Sequence, residues 1–188
     1  IEKYSKMHPR VTLSITEGFT ESLCDAVAGG QLDAAIINRP RTKIALRNEL
    51  MVDEQIVLVS NRNQKFNQKE MKLKDVTKMK LVLPTRQHGL RKILDSIAAS
   101  ENLELTPLHE IDSINAIMQL VSISEYVTLL PALAVNSPNR RGELTIHEIH
   151  SPTPTRQIAC VSHPRYPLNS AAASFIEICT ELSLSARQ

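Results

Sequence analysis

A strand–helix–strand pattern over residues 8–39 constrains the fold more than any other feature of this chain. Residues 11–16 alternate and are rich in β-branched side chains, which predicts a strand. Thr20 then stands where an N-cap belongs, apolar residues recur at helical spacing, and a Gly-Gly pair predicts the helix end. Residues 32–37 are nearly all apolar, which predicts a second strand buried on both faces, as in a parallel sheet. We therefore expect a right-handed βαβ unit whose helix start lies at the sheet edge where open α/β sheets bind ligands.

Strands and helices alternate along the rest of the chain. Further strands are predicted at residues 52–60, 81–83, 105–111, 126–130, 144–149 and 157–162. Further helices are predicted from the spacing of apolar residues near 73–77, 90–97, 114–121 and 170–182, with a loop at 137–142. This alternation predicts a parallel sheet covered by helices on both sides.

Composition excludes several classes of protein. The 22 basic and 20 acidic residues are mixed along the chain, so the net charge of +2 provides no broad basic face for nucleic acid. No apolar run is long enough to span a bilayer. The three cysteines are well separated, which predicts small buried side chains in a reducing cytoplasm, a redox sensor being the alternative.

No motif for catalysis or cofactor binding is present. The chain has no dinucleotide-binding fingerprint, no P-loop and no nucleophile elbow, so we expect neither an enzyme nor a cofactor. His147 and His150 have a spacing that suggests a metal site, but residues three apart on a strand point to opposite faces. No metal site is therefore predicted.

Binding is indicated by a polar segment between a predicted strand and a predicted helix. Its candidate binding residues are Thr85, Arg86, Gln87, His88 and Gly89. Gly89 lets the backbone approach a ligand closely, and Arg86, His88 and Arg91 add donors and charge to the helix N-terminus. Asp112 or Ser113 is expected to cap the helix after another strand, which provides a third junction beside the one at Thr20. The alternative is that Thr20 and Ser113 are only helix caps and that Arg86 is solvated.

Seven segments resemble, in the same order, the effector-binding domain of LysR-type transcriptional regulators. They read HPRVTLSITEG, GGQLDAAI, NELMVDEQIVLVSNRNQKF, LKDVTKMKLVLPTRQHGLRKILD, HEIDSINAIMQLV, VTLLPALAV and HPRYPLNSAAASFIEI. The resemblance implies an α/β fold of the type 2 periplasmic-binding-protein kind, with two Rossmann-like lobes joined by two crossing strands. Lobe one would comprise residues 1–58 plus 160–188, its first strand lying upstream of Ile1, and lobe two residues 59–159. The family's N-terminal helix-turn-helix is absent from this chain.

The resemblance also implies a function. A small-molecule effector would bind between the lobes and change how subunits assemble into a homodimer or homotetramer, through helices at 21–28 and 90–100. Promoter DNA would be bound only through the absent N-terminal domain, in the cytoplasm and without a membrane. The effector-binding residues would be Thr20, Thr85, Arg86, Gln87, His88, Gly89 and Ser113. Three converging helix starts favour an anionic metabolite.

A solute-binding protein of a transport system, which shares the two-lobed architecture, is the alternative function, and an enzyme is the third. The chain departs from the family pattern at Tyr126, where small Gly-rich residues are usual. That side chain is expected to narrow the pocket, to close it, or to offer its phenol to the ligand.

Overall fold

The computed structural model describes residues 1–40, 42–66, 71–135 and 142–185. The predicted loop at 137–142 therefore lies, apart from Gly142, outside the described residues. In chain order the elements are α1 (Glu2–Met7), α2 (Thr20–Ala28), β1 (Ala34–Asn38), β2 (Arg47–Asn61), β3 (Met71–Lys72), α3 (Leu73–Val76), β4 (Val82–Leu83), α4 (Gly89–Ser100), β5 (His109–Glu110), α5 (Ile114–Ser122), β6 (Thr128–Pro131), α6 (Ala132–Val135), β7 (Leu144–His147), β8 (Ile149–His150), β9 (Thr155–Ser162) and α7 (Ser170–Ser185).

The chain divides into two compact units. Unit one comprises Ile1–Asp53 and Gln157–Gln188, and unit two comprises Glu54–Arg156. Strands β2 and β9 each contain one of the two points at which the chain passes from one unit to the other. Both points lie a few residues before the boundaries expected from the resemblance.

Unit one is built on the pairing of β1 with β9. The two strands run antiparallel, with Ala35 opposite Val161, and both residues are buried beside Val27 of α2. Helix α1 packs on α7, because the buried Tyr4 donates its hydroxyl to the Ala171 carbonyl at 2.9 Å and places its ring edge-on to Phe175. Helix α2 ends as predicted, since Gly30 has a φ of +70°, which glycine adopts at little cost.

Two expectations for residues 8–39 are wrong. Residues 11–16 form no strand, and β1 is antiparallel to its partner, so the parallel βαβ unit is not formed. An extended segment becomes a strand only where its backbone groups pair with a neighbour, and here a cavity of about 500 Å³ is lined by residues 11–16 and by 34–36. Ile36 is 42% exposed, so β1 is buried on one face and not on both.

Unit two holds the larger core. Strand β2 pairs antiparallel with β6 and with β7, and the pairs β3–β8 and β4–β5 are parallel. The sheets are therefore mixed and not all parallel as the alternation predicted, because an alternation of strands and helices does not determine which strands pair or in which direction. Leu58 and Leu129 face each other across β2 and β6, and both are fully buried with Leu94 of α4 and Ile117 of α5.

Several element bounds differ from those predicted. The strand expected over 105–111 is reduced to β5, and the strand expected over 144–149 is divided at Glu148 into β7 and β8. The helices predicted around 90–97 and 114–121 are confirmed as α4 and α5. Among the described residues, no helix combines the length and the apolar character that crossing a membrane requires.

Candidate functional site

Two strand-to-helix junctions lie side by side in unit two. Because β4 and β5 pair in parallel, with Leu83 opposite Glu110, both chains leave the same sheet edge before they enter α4 and α5. The backbone N–H and the hydroxyl of Thr85 both donate to Oδ1 of Asp112, at 3.1 Å and 2.7 Å. The structure therefore brings together the predicted junctions at Thr85 and Ser113.

Side chains cap both helices at this edge. Nδ1 of His88 accepts a hydrogen bond from the Leu90 N–H at 3.1 Å, and Gly89 is the first residue of α4. Oγ of Ser113 accepts from the Ala116 N–H at 3.3 Å, so Ser113 and not Asp112 is the cap of α5. Arg86 and Gln87 are exposed on the loop between β4 and α4. The remaining N–H groups of each first turn, with the positive end of the helix dipole, favour a polar or anionic group.

His88 contributes no positive charge at neutral pH, so that part of the prediction is wrong. Burial lowers the pKa of its imidazole below the ordinary value, and Arg156 acts in the same direction, whereas Asp112 opposes the shift. Since Nδ1 accepts the bond from Leu90, the proton of the neutral ring lies on Nε2. His88 acts as a helix cap that is neutral at pH 7.

The lowered pKa makes unit two sensitive to acid. The imidazole of His88 takes up a proton near the ordinary pKa of 6.5 in the unfolded chain, but only at lower pH in the folded chain. The contribution of His88 to the free energy of unfolding is therefore fully present above pH 6.5 and is lost as the pH falls through the lowered pKa. His88→Asn keeps a capping acceptor without titrating, so we expect a shallower loss of stability between about pH 6.5 and 5. Urea unfolding at several pH values measures this slope. Burial also lowers the pKa of His147. His147→Asn should therefore remove a separate part of the pH dependence of stability. An unchanged slope in the His88 variant would contradict the assignment.

Arg91 does not face a ligand, contrary to the prediction. Its side chain is 1% exposed and is paired with Asp95 at 2.8 Å and with Glu110 at 2.7 Å. Asp112 is the residue that the sequence reasoning missed as a site residue, having considered it only as a cap. Its carboxylate lies at the junction of the two loops and places a negative charge there. Its position directly after a strand was the signal that could have identified it.

Thr20 begins α2 in unit one but does not cap it. The N-cap is Phe19, and no side-chain hydrogen bond caps this helix in the described part of the chain. The reason is that Thr20 is already helical, so its hydroxyl lies one position too far along to accept from the first amides. The capping role predicted for Thr20 is wrong, and its role in effector binding stays a prediction.

Tyr126 contacts His109 of the same unit. Its hydroxyl lies 2.9 Å from Nε2 of His109, and the two rings meet edge-on with centroids 5.1 Å apart. The side chain is half-buried against the core of unit two. The phenol is therefore within hydrogen-bond distance of His109 in the same chain.

The surroundings of His147 and of the three cysteines bear on the metal and redox alternatives. Nε2 of His147 is 2.9 Å from the Ser60 hydroxyl, and within the described ranges no group of three metal-binding side chains comes together. The three cysteines are free thiols, and burial is the main cause that raises the pKa of each, to about 11 for Cys160. Raised pKa values leave little reactive thiolate and favour the structural interpretation over the redox sensor.

Comparisons with known proteins agree on one family. Residues 1–183 match the family model described as the LysR substrate binding domain. The transcriptional regulator CzcR of Bacillus cereus is 27% identical over 149 residues, which cover 79% of this chain and 50% of that protein. The chain thus spans about half the length of this curated relative.

Two solved structures share the fold. A cysteine mutant of OxyR from Corynebacterium glutamicum superposes with a TM-score of 0.83 at 19% identity, covering 98% of this chain and 59% of that one. The regulatory domain of CcmR from Synechocystis PCC6803, in complex with 2-PG, has a TM-score of 0.81 at 17% identity and covers 96% of this chain and 88% of that domain. At these identities the likeness shows the fold alone.

Proposed function

The chain belongs to the LysR substrate binding domain family, and from that premise we propose that it is the effector-sensing and oligomerising domain of a bacterial transcriptional regulator. Its α/β fold is of the type 2 periplasmic-binding-protein kind. The observation that carries the proposal is the convergence of two capped helix starts, linked by the Thr85–Asp112 hydrogen bonds, at one sheet edge of unit two. The matched relatives are described as transcriptional regulators, which favours a regulator over a transport protein or an enzyme.

The proposed effector site lies in unit two, at the sheet edge where α4 and α5 begin. We assign to it Thr85, Arg86, Gln87, His88, Gly89 and Ser113, and we propose Thr20 of unit one as a separate candidate effector-binding residue. The helix starts and the exposed Arg86 favour an acid group on the ligand. The Asp112 carboxylate would repel a ligand that offers only negative groups, so we propose an acid that also carries a hydroxyl or amino donor.

A thermal-shift screen of small carboxylic acids, with hydroxy acids and amino acids among them, tests the proposed function. A ligand that binds only the folded chain at a hundredfold excess over its Kd stabilises it by about 2.7 kcal/mol, which is a readily measured shift in Tm. We expect at least one hydroxy or amino acid to raise Tm in a saturable way. A panel in which no acid does so would contradict the proposal.

Two substitutions should weaken binding of the acid that the screen identifies. Thr20→Val keeps the shape of the side chain and removes its hydroxyl, so affinity should fall by about 0.5–1.5 kcal/mol for a neutral hydrogen bond or about 1.5–3 for a charged ligand group. Arg86→Ala should lower the affinity by about 1.5–3 kcal/mol, because it removes a charged hydrogen-bond donor. Isothermal titration calorimetry measures both. Arg62→Ala, at another exposed arginine of unit two, is the matched control and should bind as the wild type does. Equal affinity in all four proteins would show that this assignment of the site is wrong.

We propose that the chain self-associates through α2 of one copy and α4 of the other, in a two-fold arrangement. The exposed face of α2 carries Asp25 and that of α4 carries Lys92, which are of complementary charge. Sedimentation velocity should show a dimer at about micromolar concentrations, and Asp25→Lys should raise the dimer Kd by about tenfold, or 1.4 kcal/mol. Glu177→Lys on the exposed face of α7 makes the same charge change and should leave the Kd unchanged. A monomer at every concentration would contradict the proposal.

The contact with promoter DNA is assigned to a part of the regulator outside this chain. The net charge of +2 and the mixed distribution of charges provide no basic stripe along which a duplex could lie. We propose that the whole regulator acts on DNA in the cytoplasm, since the matched relatives are described as transcriptional regulators of bacteria.

A further inference from the structure

Two features of its position disfavour a positive charge on the side chain of Arg91. It lies in the first turn of α4, where the positive end of the helix dipole opposes a cation, and its side chain is 1% exposed. Burial of a guanidinium is tolerated only when partners satisfy it. Here the carboxylates of Asp95 and Glu110, each about 40% exposed, lie 2.8 Å and 2.7 Å from it. Departures of this kind concentrate at positions with a functional task.

The guanidinium also binds two backbone carbonyls, one of which lies directly before the loop of the proposed site. Nη1 donates to the carbonyl of Pro84 at 3.1 Å, and Nη2 donates to the carbonyl of Leu105 at 3.4 Å. Pro84 is the residue directly before Thr85, and Glu110 is two residues before Asp112. A single side chain therefore contacts the start of the loop into α4 and the end of the strand that leads into α5.

We infer that Arg91 is the positioning residue of the effector site, which fixes the two loops so that Thr85 reaches Asp112 and the starts of α4 and α5 open at one edge. The part that concerns the effector rests on the proposed function, whereas the positioning of the loops does not. The fork of the guanidinium is essential to this role, because it binds Asp95, Glu110 and two carbonyls in different directions at once. A lysine would keep the charge but could not span these acceptors.

The Thr85 amide resonance reports directly on the loop geometry. We would record ¹H–¹⁵N spectra of the whole chain and use Asp112→Ala, which deletes the acceptor of the Thr85 N–H, to define the full upfield shift. Arg91→Lys should produce at least half of that shift. Val76→Ala is the control, because Val76 is fully buried in α3 of the same unit and contributes to the same core. It should lower Tm and leave the Thr85 resonance within a tenth of the full shift.

The inference is overturned if Arg91→Lys lowers Tm while its Thr85 resonance stays within the range of the control. Should Arg91→Lys fail to fold, Glu110→Gln decides the question, since this partly exposed residue keeps its shape and loses only its charge. It should shift the Thr85 resonance in the same direction by a smaller amount, and no shift would overturn the inference. The NMR measurement needs no ligand, so its result does not depend on the thermal-shift screen. A screen in which no acid binds would contradict the proposed function without affecting the conclusion about Arg91.

Discussion

Replacing Glu54 with alanine is expected to lower the free energy of unfolding of unit two by about 3–5 kcal/mol. Glu54 is 3% exposed in β2, where its Oε2 lies 2.7 Å from Nη2 of Arg156. Its Oε1 accepts the Leu133 N–H at 2.9 Å, at the start of α6. Alanine removes the carboxylate from a mostly buried guanidinium and the acceptor from a backbone amide, and both losses carry a desolvation cost. Urea unfolding followed by circular dichroism measures the change.

The residue next to Glu54 provides the matched control. Asp53 accepts a hydrogen bond from Nε2 of Gln157 at 2.8 Å, but it is exposed. Asp53→Ala should therefore change stability by no more than about 0.5 kcal/mol. Glu54→Gln keeps the oxygen that accepts from Leu133 and should lie between the two alanine variants. A loss in Glu54→Ala as small as in Asp53→Ala would show that the buried pair contributes little to stability.

The helices were predictable because their signals are local. The amphipathic spacing of α4 and α5 identifies the face that each buries, and Ser113 lies within a few residues of the amide that it caps. The Gly-Gly pair that ends α2 needs no information from elsewhere in the chain either. In all of these the deciding interaction spans only a few positions of the sequence.

The sheet was not predictable in the same way. Ile36 pairs with Cys160, more than a hundred residues away, and nothing in either segment states the direction of that pairing. Residues 11–16 have the composition of a strand, but a strand also needs a neighbour, and composition does not supply one.

The candidate site shows the same difference between features set by local sequence and features set by long-range contacts. The polar loop at 85–89 and the cap at Ser113 could be predicted, since a strand followed by a helix start is visible in the sequence. The buried state of Arg91 could not, because it depends on Glu110, which lies nineteen positions further along the chain. The link between Thr85 and Asp112 spans 27 positions, and it depends on β4 and β5 being neighbours in the sheet. A residue that is expected to face a ligand, such as Arg91, can instead stabilise the surrounding structure, and only the tertiary contacts distinguish these two roles.

Leu129→Ala is expected to destabilise unit two by about 2–5 kcal/mol. Leu129 lies in β6 opposite Leu58, and neither side chain has any exposed surface. Truncation removes the apolar contacts of the side chain and leaves a cavity between β2 and the helices that pack on it, and close-packed surroundings refill such a space only in part. Thermal and urea unfolding of the two proteins give the difference directly.

The control for Leu129 is an apolar residue of the same unit that packs against little. Ile123, just after α5, is 82% exposed, so Ile123→Ala removes a side chain of similar size without opening a cavity and should stay within about 0.5 kcal/mol of the wild type. If the two variants lost equal stability, the strand that contains Leu129 would not lie in the core. Because β6 pairs with β2, the strand through which the chain enters unit two, such a result would also contradict the register of that strand pair.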